Sequence, residues 1–311
     1  MDTRLVVSRT LPDGRRTMVF PFHVSLEGLE SATICRDEED YDVMVKNIFL
    51  CARRNNIIVV IYSVVSNHAH IAILGENIIT ARRFSDRLKQ VQSMWLHRKY
   101  GDEKLLFRKK ADVSIIDTVQ YARNVLAYIP RNALDNGAKN IAEYKWTGFL
   151  AMFSENKPSP GMIPVKSLST REVARYLHTG DRLSDVGWYL NADGTLNPVC
   201  ACDHNYLESI FNHDQTFFLR AIGSVNSSEM KYRSSVAKSR KMNDAEFLKT
   251  INELSQEWYH KEARDLPPDG KARFIEYLQK KYYLSVPQVA RCMNMKKEDV
   301  SVLLGERNIH R

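Results

Sequence analysis

The run Ile57-Ile58-Val59-Val60-Ile61-Tyr62-Ser63-Val64-Val65 is followed, after only Ser66 and Asn67, by His68-Ala69-His70-Ile71-Ala72-Ile73-Leu74. β-Branched and aromatic residues favour a buried, pleated strand, and so short a connection predicts a hairpin. Side chains along a strand alternate faces, so His68 and His70 project from one side while Ala69 faces the other. Two convergent imidazoles are half of a divalent-metal site. A bare His-x-His reads more readily as two unrelated histidines at a turn.

The flanking pattern sets this hairpin in an alternating order. A strand is expected over 18–27, then an acidic turn opening a helix over 38–55, where the acids suit the positive end of the helix dipole. Ile78 to Tyr100 reads as a long amphipathic helix, with Phe84, Leu88, Val91 and Trp95 at steps of three or four. Leu105-Leu106-Phe107 is the candidate for a fourth strand. The order β-α-β-β-α-β is the ferredoxin-like split unit of the α+β class, an architecture that hosts many unrelated functions. A further helix runs from Asp117 through Asn132 and is expected to lie on the sheet face that displays the histidines. Tyr128 and Asn132 are four residues apart and share a side of it. A phenol and an amide oxygen over two imidazoles are the inventory for metal-assisted phosphodiester cleavage, in which the phenol attacks phosphorus and leaves a phosphotyrosine. Taken alone, Tyr128 reads first as a partly buried helix tyrosine.

Pro158, Pro160, Gly161 and Pro164 mark residues 154–170 as a linker, and Ser169 then caps a helix. The expected organisation is 1–153 as a catalytic domain, 154–240 as linker and helical region, and 241–311 as a helical domain. In the last, Lys271–Tyr283, Ser285–Met293 and Lys296–Leu304 read as three helices, with Asn294 as a turn residue that tolerates left-handed geometry. The spacing of Ala290 and Val300 resembles a helix-turn-helix. A plain three-helix bundle, used for packing or a protein partner, fits the same pattern.

Hydrophobic residues at 44% and charged residues at 26% are ordinary for a soluble globular protein, while a net charge of +8 points to a polyanionic partner. Residues 81–110 hold ten lysines and arginines against three acids. Trp95 lies on the apolar stripe and is assigned to the core. Arg108, Lys109 and Lys110, which lead into the tyrosine helix, and Arg131 beside Asn132 are the candidates for DNA contact. Lys231, Arg233, Lys238, Arg240 and Lys241 form a second basic run, suited to clamping a hairpin stem or to a basic connector. Five scattered cysteines form no framework, which implies a reducing cytoplasm. Cys200-Ala201-Cys202-Asp203-His204 could begin a zinc site, but no matching Cys-x-x-Cys pair follows. No apolar run approaches bilayer length, and the first residues do not look like a signal peptide.

Several of these segments occur in a recognisable order. They are Phe22-His23-Val24-Ser25-Leu26-Glu27-Gly28, Ile34-Cys35-Arg36-Asp37-Glu38-Glu39-Asp40, Ser66-Asn67-His68-Ala69-His70, Leu106-Phe107-Arg108-Lys109, Tyr128-Ile129 with Asn132, and Tyr144-Lys145-Trp146-Thr147. Together they resemble the IS200-like single-tyrosine HUH transposases, in the branch associated with repetitive extragenic palindromes (REP). The resemblance covers roughly the first half of the chain. It implies that His68 and His70 are metal ligands for Mg²⁺ or Mn²⁺, with Asn132 as a third metal-side group and Tyr128 as the nucleophile. It also implies a nucleoid-associated bacterial protein acting on single-stranded DNA beside imperfect hairpins, as a homodimer or by reuse of one tyrosine. The chain departs from the pattern at Ala133, where the family usually has Pro, at Glu27, where Arg is common, and at Pro130 inside the helix. The rival readings are a catalytically inactive, sequence-specific DNA-binding regulator and a metal-dependent hydrolase of small phosphoesters.

Overall fold

The computed structural model describes residues 2–27, 32–101, 112–154, 158–224, 243–281 and 286–303. The chain divides into two units, Met1–Glu27 with Ile34–Met230, and Gly28–Thr33 with Lys231–Arg311.

The first unit is built on an antiparallel sheet. Its strands are β1 (Val7–Thr10), β2 (Arg16–Glu27), β3 (Ile58–Val64), β4 (His68–Gly75) and β5 (Asp112–Ile115). Helix α1 (Glu38–Arg54) connects β2 to β3, α2 (Ile78–Tyr100) connects β4 to β5, and α3 (Val119–Asp135) follows β5. β5, β2, β4 and β3 lie side by side in that order, and β1 pairs with the start of β2. The expected alternation of strands and helices is therefore present, with two differences. The strand before α3 is Asp112–Ile115, whereas Leu105–Phe107 lies outside the described residues. The β1–β2 hairpin was not anticipated, although Pro12-Asp13-Gly14 is a turn sequence and Gly14 adopts φ +85°, the region that favours glycine.

Alternation gives the sheet two distinct faces. Phe22, Val24 and Leu26 of β2 stand beside Ile73, Ile71 and Ala69 of β4, and all six are buried in the core. The other face carries His23, Ser25 and Glu27 next to Ala72, His70 and His68. α1 and α2 pack on each other and on the sheet, contributing Met44, Ile48, Phe84 and Leu88 to the same core. The helices are also joined by Asp40, which is fully buried. Its two oxygens accept from the Trp95 indole (2.9 Å), Lys99 (3.0 Å), the Tyr100 hydroxyl (2.8 Å) and the Arg36 amide (2.8 Å). Trp95 is thus packed against the core as expected, with its one polar atom bonded.

Thr118 caps α3 by accepting from the Tyr121 amide, and the helix runs through Pro130 without ending there. The proline removes one N–H from the ladder, but it is buried with its neighbours, and packing sustains the helix.

Residues 158–224 belong to the first unit and do not form a separate domain. They contain a two-stranded pair, β6 (Ile163–Pro164) with β7 (Tyr189–Leu190), and helices α4 (Thr170–Leu177), α5 (His204–Ile210) and α6 (Gln215–Ser224). Val173, Leu190, Leu207, Phe211 and Phe218 join the sheet's own core. The Tyr206 hydroxyl donates to the Leu5 carbonyl, the Asp203 amide to Val59, and Arg9 pairs with Asp203 at 2.6 Å. The boundary expected after residue 153 is therefore not a division between units, and the region is not purely helical. Pro160 and Gly161 mark a turn, and Pro164 lies in β6.

The second unit comprises α7 (Asp244–Tyr259), α8 (Pro268–Lys281), α9 (Val286–Met293) and α10 (Lys297–Leu303) around Phe247, Ile251, Phe274, Leu278, Val289 and Met293. Ala290 and Val300 are both buried. Asn294 takes φ +52° between α9 and α10, the left-handed turn anticipated from its chemistry. Among the described residues no helix is long and apolar enough to cross a membrane.

Candidate active site

Strand register brings the site together. Ser25 pairs with His70 and Glu27 with His68 across β2 and β4, while Ser63 of β3 flanks His70 on the other side. α3 lies over this face and presents Tyr128 and Asn132 to it. The Tyr128 ring meets the His70 ring edge-on with centroids 5.1 Å apart, and Asn132 Oδ1 is 3.1 Å from His68 Nε2. His68 and His70 are themselves edge-to-face at 5.0 Å. Four residues separated by up to 64 positions in the chain thus share one patch.

Each imidazole is held through its Nδ1. His68 Nδ1 lies 2.7 Å from Asn67 Oδ1, and Asn67 is buried. His70 Nδ1 lies 3.1 Å from Nε2 of His23, whose ring stacks on it at 5.1 Å and 29°. His23 is a member of the site that sequence reasoning missed. The alternation of β2 puts it on the face of Ser25 and Glu27, but only the β2–β4 register shows that this face meets the histidines.

Burial lowers the basicity of His23 and His70. It pushes His23 down to about 4. Burial, with the added charges of His68 and His23, holds His70 well below the usual histidine range. Neutral imidazoles keep a lone pair available for a cation. Tyr128 is displaced the other way. Desolvation, followed by the charges of Asp135 and Glu27, pushes its phenol up to about 12. Among the described residues its hydroxyl makes no hydrogen bond.

Asn132 is buried, and its amide is unusually placed. Asn132 Oδ1 accepts from Asn136 Nδ2 at 3.3 Å, and Asn132 Nδ2 has no partner among the described residues. With the ring proton of His68 donated to Asn67, its Nε2 is a lone pair facing the lone pairs of Asn132 Oδ1. Turning the amide around would instead set its Nδ2 against the Asn136 donor. Two acceptors at 3.1 Å are bridged either by a proton on His68 Nε2 or by a metal cation between them. Ligand atoms about 2.1 Å from one cation stand roughly 3 Å apart when adjacent in an octahedron. The donor set therefore fits a divalent ion held by two imidazoles and an amide oxygen. Among the described residues no three of His, Cys, Asp and Glu are arranged to hold a metal, and the amide oxygen beside His68 is the third donor of this set.

The other candidate residues fall outside the described residues or are engaged. Arg108, Lys109 and Lys110 fall outside the described residues, as does the basic run 231–241. Arg131 donates to the carbonyls of Ile222 (2.8 Å) and Gly223 (3.1 Å) at the C-terminal end of α6. Its guanidinium there compensates carbonyls that the helix leaves unbonded. Cys202 is buried, and His204 Nδ1 is bound to Glu208 at 2.8 Å, so the Cys-x-Cys-x-His segment is used in packing α5.

No family model matches the chain, and no curated protein matches it. Among solved structures, that of a REP-associated tyrosine transposase bound to a REP hairpin matches with a TM-score of 0.35 and 12% identity, over 45% of this chain and 82% of that one. At that TM-score the likeness carries no argument, and the roles of residues rest on this chain's own geometry.

Proposed function

We propose that the chain is a single-stranded DNA endonuclease and strand transferase that cuts beside hairpins through a 5′-phosphotyrosine intermediate. The observation that carries this reading is the meeting of Tyr128 with His68, His70 and Asn132 on one sheet face. The strand order β5-β2-β4-β3 supports a ferredoxin-like scaffold for it. His68, His70 and Asn132 would hold Mg²⁺ or Mn²⁺. When bound, such a cation polarises the scissile phosphate and offsets the charge that grows on its oxygens. The Tyr128 oxygen forms its bond to phosphorus as the bond from phosphorus to the 3′ oxygen breaks. The phenol gives up its proton, and the departing oxygen takes one up as a 3′ hydroxyl. That hydroxyl, or another, reverses the step, so the bond energy is conserved and no nucleotide cofactor is required. With its phenol near 12, Tyr128 is protonated at neutral pH, and its proton leaves during attack.

In the second unit, α9, the Asn294 turn and α10 support a helix-turn-helix reading in which this pair contacts duplex DNA. That feature keeps a regulator as the second reading. One experiment separates them. A labelled hairpin oligonucleotide with a single-stranded flank is incubated with protein and Mn²⁺, then run on a denaturing gel. The wild type should yield a covalent adduct that chelator abolishes, while Tyr128→Phe binds the hairpin and forms none. Duplex binding with no adduct in any divalent ion would favour the regulator, and equal cleavage by the variant would remove Tyr128 from the mechanism.

A further inference from the structure

Resting on that metal-assisted reading, we propose that His23 is a positioning residue that fixes the tautomer of His70. His23 Nε2 accepts the Nδ1 proton of His70 across 3.1 Å, which leaves His70 Nε2 as the lone pair offered to the cation. A neutral imidazole carries one N–H, so in this contact one ring donates and the other accepts. Were His23 the donor, the proton of His70 would sit on Nε2, and no lone pair would remain for a ligand. The neighbouring ring supplies the sense of the bond. His68 Nδ1 faces Asn67 Oδ1, which can only accept, so the proton of His68 is on Nδ1 and its Nε2 turns to Asn132. Both imidazoles are then gripped through Nδ1 and present Nε2, the arrangement by which outer partners orient metal-binding histidines.

His23 is fitted for this role in two further ways. Its ring is buried and stacked on His70 at 29°, so it restricts rotation of the ligand as well as its tautomer. The imidazole pair also needs no cation between its two nitrogens, because a single shared proton satisfies both. The contact between His68 Nε2 and Asn132 Oδ1 differs, because with the His68 proton on Nδ1 both of its atoms are acceptors. His23 therefore acts behind His70 and is not a third ligand.

The test uses the full chain with ¹⁵N-labelled histidine. Long-range proton–nitrogen correlation spectra of the metal-free wild type should show His70 protonated on Nδ1. In His23→Phe the His70 signals should shift toward a mixture of tautomers, and Mn²⁺ affinity read by electron paramagnetic resonance should fall about 10–100-fold. His23→Gln, whose side-chain oxygen can accept the same proton, should restore affinity to within a few-fold of wild type. A wild-type His70 carrying its proton on Nε2, or a Phe variant with unchanged affinity, overturns the assignment. Wild-type protein that binds no Mn²⁺ would sink the cation reading of the site, and the tautomer in metal-free protein would still decide the role of His23. Should the Phe variant fail to fold by circular dichroism, the wild-type tautomer and the Gln variant decide it.

Discussion

The polar cluster around Asp40 and the one over β4 are built in opposite ways. Around Asp40 every acceptor is matched. Each carboxylate oxygen takes two donors, three in all from α2 and one from the chain just before α1. Burial pushes that carboxyl upward, yet the bonds from Trp95, Arg36, Tyr100 and Lys99 outweigh it and hold the group below the usual carboxylate range. Over β4 the pattern is reversed. An amide oxygen faces a ring nitrogen, Asn132 Nδ2 has no partner among the described residues, and the Tyr128 phenol makes no bond there. A network with all its positions filled can only hold elements together. One with positions left open has capacity for something that is not protein.

The largest expected effect falls on the matched cluster. Asp40→Ala removes the common acceptor of four donors, three of them on or beside α2, and should cost about 3 kcal/mol in urea unfolding followed by tryptophan fluorescence. Asn132→Leu should behave differently. It deletes an amide with an unmatched donor, so stability should change by less than about 1 kcal/mol, while adduct formation and Mn²⁺ binding fall about 10–100-fold. The contrast between the clusters breaks if Asn132→Leu unfolds as readily as Asp40→Ala, because the amide would then be structural.

Much of the open cluster was legible because its spacings are local. Two imidazoles at i and i+2 on a strand, and a phenol and amide at i and i+4 on a helix, need only the geometry of one element each. His23 was not legible, because its role depends on which strand lies beside β2 and in what register. β5 was missed for another reason. Asp112-Val113-Ser114-Ile115 is short and half polar, whereas Leu105-Leu106-Phe107 nearby is more apolar and attracted the expectation. Arg131 carries a charge that suits DNA, but the charge alone does not reveal the carbonyls of α6 that receive it. Prolines in 158–164 report bends, and only the buried Val173, Leu190 and Phe218 reveal that the chain returns to the same core.

The histidines of the open cluster also predict an acid limb. Burial depresses His23 to about 4 and holds His70 well below unfolded histidine near 6.5. A depressed group contributes stability that is fully present above its unfolded value and is lost as pH falls through its folded value. In chelator, unfolding free energy should therefore decline from about pH 6.5 downward, by up to about 1.4 kcal/mol per pH unit for each histidine. His23→Gln should make the decline shallower. An unchanged slope in that variant would mean that His23 is not the neutral, buried group its place behind His70 implies.

The smallest effect concerns Glu27, the residue where the resembled pattern commonly has arginine. It lies directly across from His68 in the β2–β4 register, and its charge, after burial and Asp135, contributes to raising the Tyr128 phenol to about 12. A raised group contributes stability that is complete below its unfolded value, about 10 for tyrosine, and is lost as pH rises through the folded value. Glu27→Gln should move the tyrosinate absorbance midpoint of Tyr128 downward and narrow that alkaline window. If the phenolate is the attacking form, adduct formation at mildly alkaline pH should rise by less than about tenfold. A midpoint that does not move would show that a neighbour already neutralises Glu27, and the open cluster would then be less charged than its position across from His68 implies.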